Sequence, residues 1–200
     1  MIKLILAEDQ SLVRGALRAL LQMESDIDVI AEAEDGEQAL RLLKQHTVDI
    51  LLTDIEMPNL SGIELIEKTR ELYPNLKTVV VTTFGRAGYV KRALAAGVDG
   101  FLLKDSPSEE LAAALRKVAS GKKIIDPELA IAALGDCDPL SGKERKALKL
   151  AGEGKSTADI AAALFLSEGT VRNYLSEAIA KLNATNRIDA ARIAQQKGWL

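Results

Sequence analysis

Val48-Asp49-Ile50-Leu51-Leu52-Thr53-Asp54-Ile55-Glu56-Met57-Pro58 sets an apolar run directly before a carboxylate. Ile50, Leu51 and Leu52 form a short unbroken apolar run, which suits a central strand of a parallel sheet covered on both faces, and Pro58 with Asn59 ends it. Asp54 therefore sits where a strand stops. In open parallel sheets, ligands gather at the carboxyl edge, because several strand ends aim side chains at one crevice. Glu8 and Asp9 close the first apolar strand, Ile2 to Ala7, and are expected in the same crevice. Three carboxylates held together repel unless a cation or a proton sits among them. The economical occupant is a hard divalent cation of the Mg2+ type with all-oxygen ligands, Asp54 staying partly free for chemistry.

Working outward, strand and helix patterns alternate through the first 120 residues. Strands are expected at Ile2 to Ala7, Ile27 to Ala33, the Asp54 strand, Thr78 to Thr82 and Gly100 to Leu103. Helices are expected from Ser11 to Met23, whose apolar residues Leu12, Ala16, Ala19, Leu20 and Met23 follow helical spacing, and from Gly36 to Gln45. Ser61 with Glu64 forms a capping box for a helix to about Leu72, and Gly88 to Ala96 follows. Ser106 as N-cap with Pro107 at the first helical position opens a last helix to about Ser120. Five βα units in sequence mean a doubly wound, five-stranded parallel sheet with helices on both faces.

Residues 121–138 read as a linker with room for a short helix near Glu128 to Leu134. Beyond Pro139 no strand pattern remains. Ser141 with Glu144, Ser156 with Asp159, Ser167 and Asn186 cap four helices, giving a small all-α domain over 139–200.

The 200 residues are 48% hydrophobic and 28% charged, ordinary for a globular chain. No apolar run approaches the roughly 18 residues needed to span a bilayer, so no membrane insertion is expected, and the chain reads as cytoplasmic. Cys137 is the only cysteine and reads as incidental to structure. Residues 1–138 carry a net charge of -7 and 139–200 a net +4, which together give the chain's -3. The basic end suits a polyanionic partner, although two solvated surfaces of different composition would give the same split.

Glu8-Asp9, Asp54, Thr82 and Lys104, each at a strand end, resemble the site of two-component receiver domains. Leu140-Ser141-x-Lys143-Glu144-Arg145, continuing through Ile160-Ala161-x-x-Leu164-x-Leu166-Ser167-x-x-Thr170-Val171-Arg172-Asn173-Tyr174, resembles a LuxR-type helix-turn-helix. Together they cover nearly the whole chain, as in the NarL/LuxR class of response regulators, and Thr82-Thr83-Phe84, Gly88-Tyr89 and Lys104-Asp105-Ser106-Pro107 are similar to a DesR-type subgroup. The resemblance implies a transcriptional regulator rather than an enzyme. It makes Asp54 the phosphoacceptor, with Mg2+ held by Glu8, Asp9, Asp54 and the backbone carbonyl of Glu56. A partner sensor histidine kinase would donate the phosphoryl group, since the lone His46 reads as an exposed helix-end residue. Lys104 would meet the arriving negative charge, and Thr82 and Phe101 would act as switch residues. Phe101 fits equally well as simple core.

Some positions depart from the family's pattern. The family often has two aspartates where Glu8-Asp9 stands, and often a proline after the lysine, where Asp105 follows and leaves the peptide geometry open. Tyr174 and Thr157 stand where many members carry histidine and asparagine.

In the helix from about Glu168 to Leu182, Val171, Leu175, Ala178, Ile179 and Leu182 share one face, leaving Arg172, Asn173, Ser176 and Lys181 outward. A solvated face would look similar. As a recognition helix, its first residues would meet base edges, with Thr170, Lys181 and Arg187 on phosphates. Promoter DNA is then the partner, bound by a homodimer formed on phosphorylation, through either the fourth and fifth helices or the first and last helices of the first domain. Two other readings remain. Asp54-Ile55-Glu56 has the spacing of an aspartyl-phosphate phosphatase, but the chain lacks a substrate-binding cap domain. A receiver acting through protein contacts alone would use the tail for docking.

Overall fold

The computed structural model describes residues 1–83, 86–132 and 138–200, which fall into two compact units. Cys137 lies outside the described residues. The first unit alternates β1 (Ile2–Ala7), α1 (Ser11–Gln22), β2 (Ile27–Ala33), α2 (Gly36–Leu43), β3 (Ile50–Thr53), α3 (Gly62–Leu72), β4 (Lys77–Thr82), α4 (Ala87–Ala95), β5 (Gly100–Leu103), α5 (Ser108–Ala119), β6 (Ile124–Ile125) and α6 (Pro127–Ala132). The sheet is parallel throughout, in the order β2-β1-β3-β4-β5-β6.

Alternation along the strands builds both layers. Leu4, Leu6, Ile50, Leu52, Val79 and Val81 face Leu17 and Leu21 of α1 and Leu111, Leu115 and Val118 of α5. Ile5, Ala7 and Leu51 face the other way, onto Ala39 and Leu43 of α2 and Leu65 of α3. Val80 and Phe101 pack there against Tyr89, Val90 and Leu129. Strands buried on both faces read as continuous apolar runs, which is what Ile50 to Leu52 showed.

Two expectations are corrected. The sheet has six strands, because Ile124 and Ile125, inside the stretch read as linker, pair with Gly100 and Phe101. Two residues carry no periodicity, so this strand exists only through its partner. Pro107 stands outside α5 as its N-cap, with ψ at 144°, and no side chain caps the end. Glu109 and Glu110 in the first turn meet the positive helix terminus instead of the Ser106 hydroxyl. The expected helix α1 forms, and its buried residues are Leu17 and Leu21, with Val13 partly buried. Leu12 and Met23 are 85% and 81% exposed. The helix carries two apolar stripes, and the sheet took the one led by Val13.

The second unit holds α7 (Gly142–Gly152), α8 (Thr157–Leu164), α9 (Glu168–Lys181) and α10 (Arg187–Gln196). Ser141 and Ser156 form full capping boxes with Glu144 and Asp159, and Ser167 and Asn186 accept backbone N–H groups at the next two starts. The core joins Leu148 and Ala151 of α7, Ile160 of α8, Val171, Leu175 and Ala178 of α9, and Ala190 and Ala194 of α10.

Candidate functional sites: an acidic crevice and a helix-turn-helix

Strand order reverses direction between β1 and β3, which places a crevice at their carboxyl ends. Backbone bonds lock the rim: Asp54 donates its N–H to Ala7 O at 2.9 Å, Glu8 to Ala33 O at 2.9 Å, and Lys104 to Thr82 O at 2.8 Å. The carboxylates of Glu8, Asp9 and Asp54 then converge, with one oxygen from each lying within 4.8 Å of the others. Glu8 and Asp54 are buried and Asp9 is exposed.

Lys104 reaches in from the end of β5, its Nζ 2.6 Å from Glu8 Oε2 and 3.1 Å from Asp54 Oδ2. One ammonium against three carboxylates leaves the crevice net negative. Burial pushes the Asp54 carboxyl up to about 6; the Lys104 ammonium opposes that rise and the Glu8 charge adds to it. Lys104 is the partner of Glu8 Oε2, while Glu8 Oε1 accepts the Gln10 N–H at 3.2 Å. Three carboxylates that share one ammonium keep an excess of negative charge and of oxygen lone pairs, which fits a hard cation with oxygen ligands.

The chain around Asp54 leaves no slack. A Cβ on Gly62, the first residue of α3, would stand 1.8 Å from the Asp54 carbonyl oxygen, so only glycine lets α3 start this close to the crevice. Glu56 sends its side chain away, its Oε1 accepting the Tyr89 hydroxyl at 2.9 Å. Thr82 is buried at the end of β4, and Phe101 is fully buried in the core. The Lys104–Asp105 bond is trans, as are all peptide bonds among the described residues. His46 is exposed beyond the end of α2.

In the second unit, α9 buries Val171, Leu175 and Ala178, its C-cap Leu182 is buried as well, and Ile179 is partly buried. Arg172, Asn173 and Ser176 are exposed on the opposite side. Arg172 makes only an exposed i,i+4 ion pair with Glu168 at 3.5 Å. Thr170 bonds its hydroxyl to the Ser167 cap at 2.9 Å, and Arg187 opens α10 half-buried. Tyr174 packs against the core.

Lys181 departs from expectation. Its ammonium does not project from the outer face but gives hydrogen bonds of 2.7 and 2.8 Å to the two carboxylate oxygens of Glu144. Glu144 is buried and also accepts the Ser141 N–H at 2.7 Å in the α7 capping box. Its burial would raise its pKa, but the Lys181 ammonium and the Ser141 cap outweigh that and hold it at about 2. The sequence showed Glu144 as a cap and Lys181 as a surface cation. Nothing local joined them.

An α/β unit with this crevice, followed by a four-helix unit of this form, defines an aspartate-centred receiver with a DNA-binding domain. Residues 4–116 match the response regulator receiver domain, and residues 138–194 match the luxR family of bacterial regulatory proteins. The chain belongs to the two-component response regulators and is a transcriptional regulator with a LuxR-type DNA-binding domain. It is 46% identical over 200 residues to the uncharacterised transcriptional regulatory protein YvfU of Bacillus subtilis (strain 168), covering 100% of both chains. It is 43% identical over 199 residues to the transcriptional regulatory protein DesR of the same strain, covering 100% of this chain and 99% of DesR. Among solved structures, RcsB from Salmonella enterica serovar Typhimurium bound to promoter rprA with the phosphomimetic BeF3- superposes with a TM-score of 0.73 at 26% identity, covering 97% of this chain and 98% of RcsB. ChrA, a response regulator of a heme-sensing two-component system, superposes with a TM-score of 0.60 at 32% identity, covering 100% and 98%.

Proposed function

We propose that this regulator accepts a phosphoryl group on Asp54 from a partner histidine kinase, and that the phosphorylated chain dimerises and binds promoter DNA. The observation that carries the reading is the convergence of Asp54, Glu8, Asp9 and Lys104 in one crevice. Residues 1–120 act as receiver, 121–138 as the connection, which lends β6 to the sheet, and 139–200 as the DNA-binding part. The chain works in the cytoplasm; no helix among the described residues is long and apolar enough to cross a membrane.

Glu8, Asp9, Asp54 and the Glu56 backbone carbonyl would hold Mg2+. When bound, this cation neutralises charge on the transferring phosphoryl oxygens. A free Asp54 carboxylate oxygen forms the new O–P bond as the donor's N–P bond breaks, and the electron pair leaves with the imidazole nitrogen. Lys104 needs no reorganisation to meet the product, since its ammonium already stands beside Asp54. The Thr82 hydroxyl turns to a phosphoryl oxygen, and Phe101 repacks with it.

Dimerisation supplies the two-fold symmetry that paired half-sites require. The exposed stripe of α1 supports the first-helix face over the fourth and fifth helices. Leu12 and Met23 stand at its ends with Ala16 and Ala19 between, all exposed, so two antiparallel copies match end to end. On the DNA-reading side, Arg172, Asn173 and Ser176 meet base edges, while Thr170 and Arg187 contact phosphates. DNA selected from a random pool tests the whole reading: a two-fold site enriched only after acetyl phosphate treatment supports it, and equal enrichment by Asp54→Asn refutes it.

A further inference from the structure

Arg14, on the first turn of α1, lies outside every ligand set considered above, yet its guanidinium reaches the loop that carries two of the acids. Its Nη1 donates to the backbone carbonyl of Glu8 at 2.5 Å and to that of Asp9 at 3.3 Å. Its Nε lies 3.9 Å from Glu32 Oε2 near the end of β2, and Glu32 also pairs with Arg18 one turn further along α1. The Arg14 side chain is only 18% exposed. A surface arginine kept for solubility would not spend a guanidinium on two successive carbonyls. We propose that Arg14 is a positioning residue for the Mg2+ site: anchored by Glu32, it fixes the loop after β1 so that Glu8 and Asp9 present their carboxylates to one cation.

This rests on the metal reading given above and adds how the site is held. Two effects of Arg14 on a cation oppose each other. Its charge repels the cation, and its hydrogen bonds order the ligands. Groups that orient metal ligands without touching the metal typically change affinity about 10- to 100-fold when removed. The Arg14 guanidinium meets the Glu8 and Asp9 carbonyls rather than their carboxylates, so its ordering effect is expected to exceed its repulsion. Lysine keeps the charge but lacks the planar fork that can serve two carbonyls and a carboxylate at once.

Calorimetric titration of the metal-free full chain with Mg2+ decides between these effects, with thermal melting in EDTA as the check on folding. Arg14→Ala is expected to weaken Mg2+ binding about tenfold or more. Arg14→Lys is expected to weaken it by a smaller but measurable factor while melting as the wild type does. Wild-type or tighter binding by Arg14→Ala would mean that charge alone matters and would overturn the proposal. If Arg14→Ala fails to fold, Arg14→Lys decides alone: weaker binding supports positioning, and unchanged binding overturns it. Asp54→Asn, titrated in parallel, separates the two layers. Wild-type chain that takes up no Mg2+, or takes it up equally as Asp54→Asn, overturns the metal reading itself, and this proposal with it.

Discussion

Lys181 at the end of α9 holds both carboxylate oxygens of Glu144 on α7, across 37 residues of chain. The pair clamps α9 to α7 and engages the Lys181 ammonium within the fold. Removing one partner of a buried pair leaves an uncompensated charge, which typically costs about 3 to 5 kcal/mol. Lys181 is itself 39% exposed, so water softens the loss, and Lys181→Ala is expected to cost about 2 kcal/mol. Fluorescence of Trp199, the only tryptophan and part of this core, follows the unfolding.

The same pair sets a pH dependence. The folded carboxyl of Glu144 lies at about 2, below its ordinary 4.5. A depressed carboxylate contributes stability above its unfolded value and loses it as pH falls toward the folded one. Wild-type stability should therefore decline between about pH 4.5 and 2, and the gap to Lys181→Ala should narrow over that window. A gap constant from pH 7 to 2 would contradict the assignment.

Arg172 should behave differently, because its exposed pair with Glu168 contributes little to the fold. Arg172→Ala is expected to leave the melting temperature unchanged and to cost about 1 to 3 kcal/mol at the specific DNA site, relaxing preference at one base position. Titration against operator and random DNA reads this. An equal loss on both would make Arg172 a positioning contact and shift reading to Asn173 and Ser176.

Gly62→Ala should damage the crevice from behind. The added Cβ would overlap the Asp54 carbonyl, a backbone atom that cannot swing away. Overpacking costs typically about 1 to 3 kcal/mol. Melting should fall by that order, and phosphorylation by acetyl phosphate should slow more than stability alone explains. Wild-type labelling would show that the loop tolerates displacement.

Leu12→Ser combined with Met23→Ser removes the ends of the exposed α1 stripe. Neither residue is in the core, so the fold should be unaffected, while dimerisation on phosphorylation should be lost by light scattering. A variant that still dimerises would return the interface to the fourth and fifth helices.

The parts legible in the sequence are those set by near neighbours. Ser61 with Glu64, Ser141 with Glu144 and Ser156 with Asp159 are three-residue signals, and each proved to be a closed capping box. The strand ends before Glu8, Asp54 and Lys104 were legible because each strand is mainly apolar and a charged residue follows it. What stayed hidden depends on distant partners or on a choice between equivalent patterns. Ile124 and Ile125 become a strand only beside β5. The α1 sequence offers two apolar stripes, and only docking on the sheet selects one. Arg14 could not be joined to the Glu8 and Asp9 carbonyls, because backbone acceptors leave no trace in composition.

Intact-mass measurement after incubation with acetyl phosphate and Mg2+ reads phosphorylation of Asp54, the proposed switch of this regulator. The wild-type chain is expected to gain one phosphoryl group, with no gain when Mg2+ is chelated and none in Asp54→Asn. Undiminished labelling of Asp54→Asn would contradict the account, and so would labelling that ignores Mg2+.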